Sequence, residues 1–501
     1  MIYLLVLAVA FIVYYVKSYY DDVKRYPKGP APLPIVGNLF SFEGDMNTQF
    51  HEIISDLSKK YGPVFTIYLP RPYVVICDYH LMKEALVTRG EDFAGRSGMI
   101  PDKTVFDADN GGVVFSWGNV WRENRRASLH ILRNFGMNNS LMEEQVLISI
   151  EDCLRHVDSL YAKSNEIDLR WPIQLYVGNV INKTFFGYHY SYEKCDRYVE
   201  LVKKSNLMID VISENINWMM LAQQYPFLAK LPYIGYKAGK VYEDAFKPLI
   251  EHIAEDISNS LKSYDSNGEP ECFVHAYQKL IDKGSTEEIN QKEMQNVVVD
   301  FFIAGTETTS TTLRWAMLYM AKYQEVQDKV RKEIYDAYGT DKLPTTDHKS
   351  QMPYTVATIH EIQRFCNLVN INIIHRTTKD TQVGKHFIPN DTLVMPHLSH
   401  VLWHSPIYKN PREFQPERFL LDDGITSNQK AVEQCIPFSL GKRACAGEGL
   451  ARLELFIGLT SILQRYKIEP LPGKTVDIEP IGGGGAMLVP KQQKLKFTKL
   501  V

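Results

Sequence analysis

The stretch Phe438-Ser439-Leu440-Gly441-Lys442-Arg443-Ala444-Cys445-Ala446-Gly447 sets one cysteine among small residues and cations. An apolar, helix-forming run (450–463) follows at once, so Cys445 stands just before a predicted helix N-terminus. There the unpaired amides and the positive end of the helix dipole favour thiolate over thiol. Glycine at 441 and 447 lets main chain approach closely, and amide donors around a sulfur are what a metal-bound thiolate needs. Phe438 is placed to shield the sulfur from water. The chain has six further cysteines, at 77, 153, 195, 272, 366 and 435, with no Cys-x-x-Cys among them. An odd, scattered set points to neither a disulfide scaffold nor a zinc knuckle, and these six are expected to be small buried hydrophobes.

A second stretch, Ala304-Gly305-Thr306-Glu307-Thr308-Thr309, lies inside a long apolar helical run beginning near Asn290. A carboxylate and hydroxyls in such a helix cost stability unless used. Gly305 weakens the helix by about 1 kcal/mol relative to Ala, and would let a flat ligand pack near the backbone. Thr308 can donate to a preceding carbonyl and open the helix locally.

Together these two stretches resemble the cytochrome P-450 family, whose haem-binding loop follows the pattern Phe-x-x-Gly-x-Arg-x-Cys-x-Gly. The resemblance runs the length of the chain and is nearest to the microsomal, animal-type branch that oxidises drugs and fatty acids. It implies a mostly α fold with a smaller β part, haem b lying between the long central helix and the Cys-loop helix. Cys445 would then be the iron ligand, with Phe438, Gly441 and Ala304 beside the haem. Glu307 and Thr308 match the acid–alcohol pair that delivers protons to iron-bound O2. Trp121 and Arg125, four apart and so on one helical face, carry only donors and suit a haem propionate; by resemblance Arg443, Arg96 and His375 join them. Glu361 and Arg364, with the later Arg418, match a buried structural network behind the haem. One departure stands at Ile374, where that branch often has Pro before the His.

Residues 1–16 carry no charged side chain, and Lys17, Lys24 and Arg25 follow them. That order favours a membrane anchor with the body left in the cytoplasm over a cleaved signal peptide. Residues 1–20 are expected to be the anchor, 21–40 a Pro-rich extended hinge, and 41–501 one catalytic domain. The sequons at Asn138 and Asn182 would go unused under that reading. Strands are expected as a pair over 63–77 around Pro70-Arg71-Pro72, then near 371–377, 384–395 and 465–500. Helices are expected near 140–165, 195–222, 240–265, 290–338 with a break at 323–327, and 353–366.

The net charge of −3 carries no basic excess of the kind nucleic-acid binders show. No phosphate loop, nucleophile elbow or dinucleotide fingerprint occurs, so the resemblance implies electrons from NADPH through a separate cytochrome reductase, with cytochrome b5 as a second donor. Arg122, Arg126, Arg133, Lys442 and Arg452 are candidates for a basic face that meets it. Substrate-site residues are expected from 97–116, 205–235, 297–308, 370–376 and 481–487, with Phe115, Phe301, Phe302, Ile371 and Met487 making an apolar cavity. The segment 225–235 is a candidate for dipping into lipid. Endoplasmic-reticulum location and an apolar substrate (fatty acid, steroid or xenobiotic) follow from the resemblance. Two other readings stand beside this one: a haem-thiolate isomerase or dehydratase of peroxides, and a non-catalytic membrane carrier of haem or ligand.

Overall fold

A computed structural model of the chain describes residues 2–39, 41–42, 49–98, 110–135, 140–205, 207, 211, 218, 222, 225, 227–483 and 487–501. The sequon at Asn138 and parts of the expected pocket stretches 97–116, 205–235 and 481–487 lie outside them.

Helix α1, Ile2–Val23, has no buried residue and a mean hydropathy of 1.9 across its apolar window. Its 22 residues span about 33 Å, enough for a hydrocarbon core of about 30 Å. It is the one helix among the described residues long and apolar enough to cross a membrane. The Pro-rich stretch after it does not stand free as an extended spacer. Tyr19 and Tyr20 donate to the carbonyls of Leu33 and Pro32, each at 3.2 Å. Buried Asn38 donates to Pro30 O and Ala31 O and accepts from Tyr68 N at 2.8 Å. Prolines bring acceptors without donors, and these side chains supply the donors that seat the stretch on the sheet. At Gly37, φ is +63° and a Cβ would stand 2.2 Å from Tyr68 O.

That sheet has five strands: β1 (Val64–Leu69), β2 (Arg71–Ile76), β3 (Gly95–Arg96), β4 (His375–Arg376) and β5 (Leu393–Pro396). Their order is β1-β2-β5-β4-β3. β1 and β2 are antiparallel about a tight turn at Pro70, β2 and β5 are parallel, and Arg96 pairs with His375 across β3 and β4.

The rest is mainly helical. The helices that position the site are α2 (Phe50–Tyr61), α3 (Gly118–Asn134), α4 (Arg170–Phe186), α5 (Gln291–Lys322), α6 (Gln324–Tyr338), α7 (Pro353–Cys366), α8 (Leu398–His404) and α9 (Glu448–Arg465). Asn290 caps α5 by accepting from Glu293 N at 3.0 Å, and the helical run breaks at Tyr323, between α5 and α6. The largest core cluster gathers α4, α5 and α9. Gly305 permits the close crossing of α5 and α4: a Cβ there would lie 2.7 Å from Ile181 Cδ1. Gly305 thus serves a helix crossing as well as lining the cavity where a flat ligand was expected. Asn182 sits on α4 at 1% exposure, out of reach of glycosylation.

Candidate active site

The cysteine loop is held by its own backbone. Cys445 N donates to Phe438 O at 2.9 Å. Gly441 has φ +73°, and a Cβ on it would overlap Leu86 O at 1.8 Å, so only glycine fits where this loop meets the helical turn beneath it. Helix α9 starts at Glu448 with Gly447 as its cap. Of the seven cysteines only Cys445 is exposed, and the space it opens onto is a cavity of about 290 Å³ within the protein. Burial pushes its thiol up; the amides of Gly447 and Glu448 and the Arg125 guanidinium pull the other way.

Helix α5 supplies Phe301, Ala304, Gly305 and Thr308 to the same cavity, and Phe438, Arg96, Arg125 and Arg443 also line it. Much of the remaining wall is apolar, with Val113, Phe185, Leu368 and Ile373 among its residues. Thr308 Oγ1 donates to Ala304 O at 2.7 Å. Glu307 turns away from Thr308: its carboxylate accepts from Gln174 Nε2 of α4 at 3.1 Å and from Thr311 Oγ1 at 3.3 Å.

One side of the cavity gathers cations. Arg443 donates to Ala94 O at 2.8 Å and lies 3.9 Å over the Trp121 ring. Arg125 donates to Ala444 O at 2.8 Å. Arg96 donates to Val114 O at 2.9 Å and to Ile373 O at 3.2 Å, so the Ile374 departure leaves a loop whose carbonyls still serve that arginine. His375 is buried, with Nδ1 donating to Phe93 O at 2.8 Å, and burial, with Arg96 and Arg443 nearby, holds it neutral. Two buried ring nitrogens here, Trp121 Nε1 and His375 Nε2, have no hydrogen-bond partner among the described residues. Orphaned polar atoms of this kind are costly and ask for a ligand group. A flat cofactor carrying two carboxylates and a thiolate-binding metal answers each feature, and haem is such a group.

Behind the site, Glu361 and Arg364 are both fully buried and joined twofold, at 2.7 and 2.8 Å. Arg418 Nε joins Glu361 at 3.2 Å, and Arg364 also donates to Leu402 O and Pro411 O at 2.9 Å. The expected basic face carries its own acids: Arg122 and Lys442 pair with Glu91, Arg126 with Glu123, and Arg452 with Glu448. Arg133 is exposed.

Four expected pocket residues lie off the cavity wall. Phe302 is in the core, its ring 6.1 Å from Phe186, because it faces α4 rather than the cavity. Phe115 packs on the same core cluster. Ile371 packs on the sheet, and Met487 pairs with Gly483 in a two-stranded ribbon. The sequence reading missed three buried carboxylates. Asp300 lines the cavity and accepts from Val113 N and Val114 N at 2.6 and 2.8 Å. Glu293, two turns earlier on α5, accepts from Gly112 N and Asn124 Nδ2 at 3.0 and 2.7 Å. Their seven-residue spacing on an apolar helix was the available signal. Glu454 also lines the cavity, and burial pushes its carboxyl well above the usual carboxylate range, with the Thr309 hydroxyl partly offsetting this.

Comparison with known proteins agrees with this geometry. The cytochrome P450 family model matches residues 27–497. The chain is 39% identical to cytochrome P450 2C50 of Mus musculus and 38% identical to cytochrome P450 2C29 of the same organism. It is 36% identical to cytochrome P450 2H2 of Gallus gallus, and each alignment covers 94% of this chain and 93% of the relative. The chain belongs to the cytochrome P450 family and is a monooxygenase of that family, an oxidoreductase.

Proposed function

We propose that this protein inserts one oxygen atom of O2 into an apolar organic substrate of the fatty-acid, steroid or xenobiotic kind. Electrons come from NADPH through a separate cytochrome reductase, with cytochrome b5 as a second donor. The observation that carries the reading is the one exposed cysteine, which lines the same largely apolar cavity as Ala304 and Thr308 of α5. Haem b, bound there through a cysteine thiolate, supplies O2 activation with strong push toward O–O cleavage.

The chain's own residues divide the remaining work. Cys445 Sγ holds the iron, and Phe438 keeps water from the sulfur. Trp121, Arg125, Arg443, Arg96 and His375 bind the propionates; the partnerless Trp121 Nε1 gains an acceptor, and His375 Nε2, an acceptor in the neutral ring, takes up a proton to donate to a carboxylate. Thr308 holds a hydroxyl proton at the cavity face, and the neighbouring Glu307 carboxyl, held by Gln174, is the acid that replenishes it. Apolar wall residues such as Phe301 and Ile373 orient the substrate. Glu361, Arg364 and Arg418 keep the cysteine side rigid. Residues 1–20 anchor the enzyme in the endoplasmic-reticulum membrane, and the catalytic body that starts near residue 41 faces the cytoplasm, as Lys17, Lys24 and Arg25 after the apolar run favour. The exposed pairs around Glu91, Glu123 and Glu448 are individually weak, and their cations re-pair with an acidic reductase surface.

The test is the spectrum of the dithionite-reduced protein with carbon monoxide. A strongly red-shifted Soret band that disappears in Cys445→Ala is the expected result. A band that survives this substitution would overturn the assignment of the ligand. Turnover of added peroxide without reductase, in place of substrate-dependent NADPH consumption, would move the protein to the isomerase class.

A further inference from the structure

Away from the cavity, the sheet brings together a second sulfur and two imidazoles. Strand β2 runs straight into Cys77, whose amide donates to Pro63 O at 2.8 Å. Strand β5 lies parallel beside it, Ile76 opposite Pro396, and runs straight into His397, whose amide donates to Ile76 O at 2.9 Å. Two adjacent parallel strands therefore deliver Cys77 and His397 at the same level. Helix α8 begins at the next residue, and its first turn carries His400 back over the pair. Cys77 Sγ is 4.0 Å from His397 Nδ1. One ligand atom from each of Cys77, His397 and His400 lies within 4.8 Å of the other two.

We propose that Cys77, His397 and His400 bind a divalent transition-metal ion of the zinc class, at a site separate from the haem. None of the three lines the cavity at Cys445. A thiolate with two imidazoles is a borderline-soft donor set that suits zinc or copper and disfavours calcium and magnesium. Bond lengths of about 2.3 Å to sulfur and about 2.0 Å to nitrogen put tetrahedral ligand atoms roughly 3.5 Å apart. The ligand atoms need to close by up to about 1.3 Å to reach that spacing. Cys77 and His397 are buried, while half-buried His400 gives the ion a way in.

The surroundings favour the ligand forms. Burial holds His397 and His400 neutral, His400 at about 4, and neutral imidazole is what a metal takes. Burial also raises the Cys77 thiol, so the ion displaces that proton on binding. The titratable groups packed around the site are His51, Glu52 and Lys59 of α2, Asp78, and His404 of α8. His404 stacks on His400 at 5.1 Å and pairs with Glu52 at 3.4 Å, which fixes the ring that covers His400. Ser58 Oγ is 3.4 Å from His400 Nδ1. Three protein ligands leave a fourth position for water, and the ion ties the ends of β2 and β5 to α8.

The experiment uses the full-length haem protein in detergent, dialysed against zinc and then against metal-free buffer, with zinc and iron measured by mass spectrometry. The expected result is one zinc per haem iron, and zinc-edge X-ray absorption showing one sulfur among the ligands. His400→Gln and Cys77→Ala, each checked for an unchanged carbon-monoxide band, should weaken zinc binding by more than about tenfold. No retained zinc, a zinc shell without sulfur in the wild type, or equal zinc in the wild type and both variants would overturn the site. The X-ray measurement on the wild type decides the question even if a variant fails to fold.

Discussion

Trp121 and His375 each bury a ring nitrogen that finds no partner among the described residues, and at this scale the site states what it wants. A hydrogen bond from a neutral donor to a charged acceptor contributes about 1.5–3 kcal/mol. Trp121→Phe keeps a ring beneath Arg443 and removes only the donor, so haem should leave the variant roughly tenfold faster, as measured by haem transfer to an excess of apomyoglobin. An unchanged rate would mean that no propionate reaches Trp121. Thr308→Ala deletes the hydroxyl at the cavity face and leaves α5 intact. It should keep the carbon-monoxide band and consume NADPH while yielding several-fold less product; coupling equal to the wild type would remove Thr308 from proton delivery. The cysteine loop was legible in the sequence because its constraints are local: a left-handed glycine, a cysteine and a helix start within ten residues. The direction of Glu307 was not. One step along a helix turns a side chain by about 100°, and only the position of α4, which brings Gln174, decides which way the carboxylate faces.

Helix α4 shows the limit of pattern reading at the scale of elements. It is buried on nearly every side, from Pro172 to Phe186, so it lacks the polar face by which an amphipathic helix announces itself. The break at Tyr323 was legible, since the run from Asn290 to Tyr338 exceeds the usual length of a globular helix. Gly305 was read as space for a ligand and lines the cavity, but it also serves a helix crossing, a second role that depends on Ile181 in another element. The contacts that join elements are also where stability concentrates. Glu361 and Arg364 of α7 reach the segment 410–418 through Arg418 and Gln415 N, at 3.2 and 2.8 Å. Glu361→Ala would leave Arg364, with 0% exposure, as an uncompensated buried charge, which costs about 3–5 kcal/mol. The exposed pair Lys329–Glu417 should contribute less than about 1 kcal/mol. Thermal melts of Glu361→Ala and Lys329→Ala should therefore differ by many degrees, and comparable small shifts in both would mean the buried network is not under load.

For the molecule as a whole, the histidines couple stability to pH. His360 of α7 lies tilted against Phe419, ring centres 5.4 Å apart, and burial, with Arg452 and Lys349 nearby, lowers it from 6.5 to about 4. Its folded-state value lies below the unfolded one, so between about pH 6.5 and 4 the unfolded chain holds a proton that the folded chain refuses. Stability is then complete above pH 6.5 and falls as the solution is acidified, by up to about 1.4 kcal/mol per pH unit for one such group. Nothing in the local sequence around His360 announces this, because the effect arises from the packing of α7 against the loop that carries Phe419 and from cations brought in by α9 and the 346–351 turn. His360→Gln removes the titrating group and keeps a polar side chain of similar length. Melting temperatures of the full-length protein measured from pH 7.5 down to 4.5 should fall less steeply in the variant, by a slope equivalent to about one proton. The two curves should meet near neutrality, where the wild-type ring is neutral in both states. Parallel curves across the range would show that His360 titrates alike in the folded and unfolded chain, and that the acid sensitivity of this fold resides in its other buried groups.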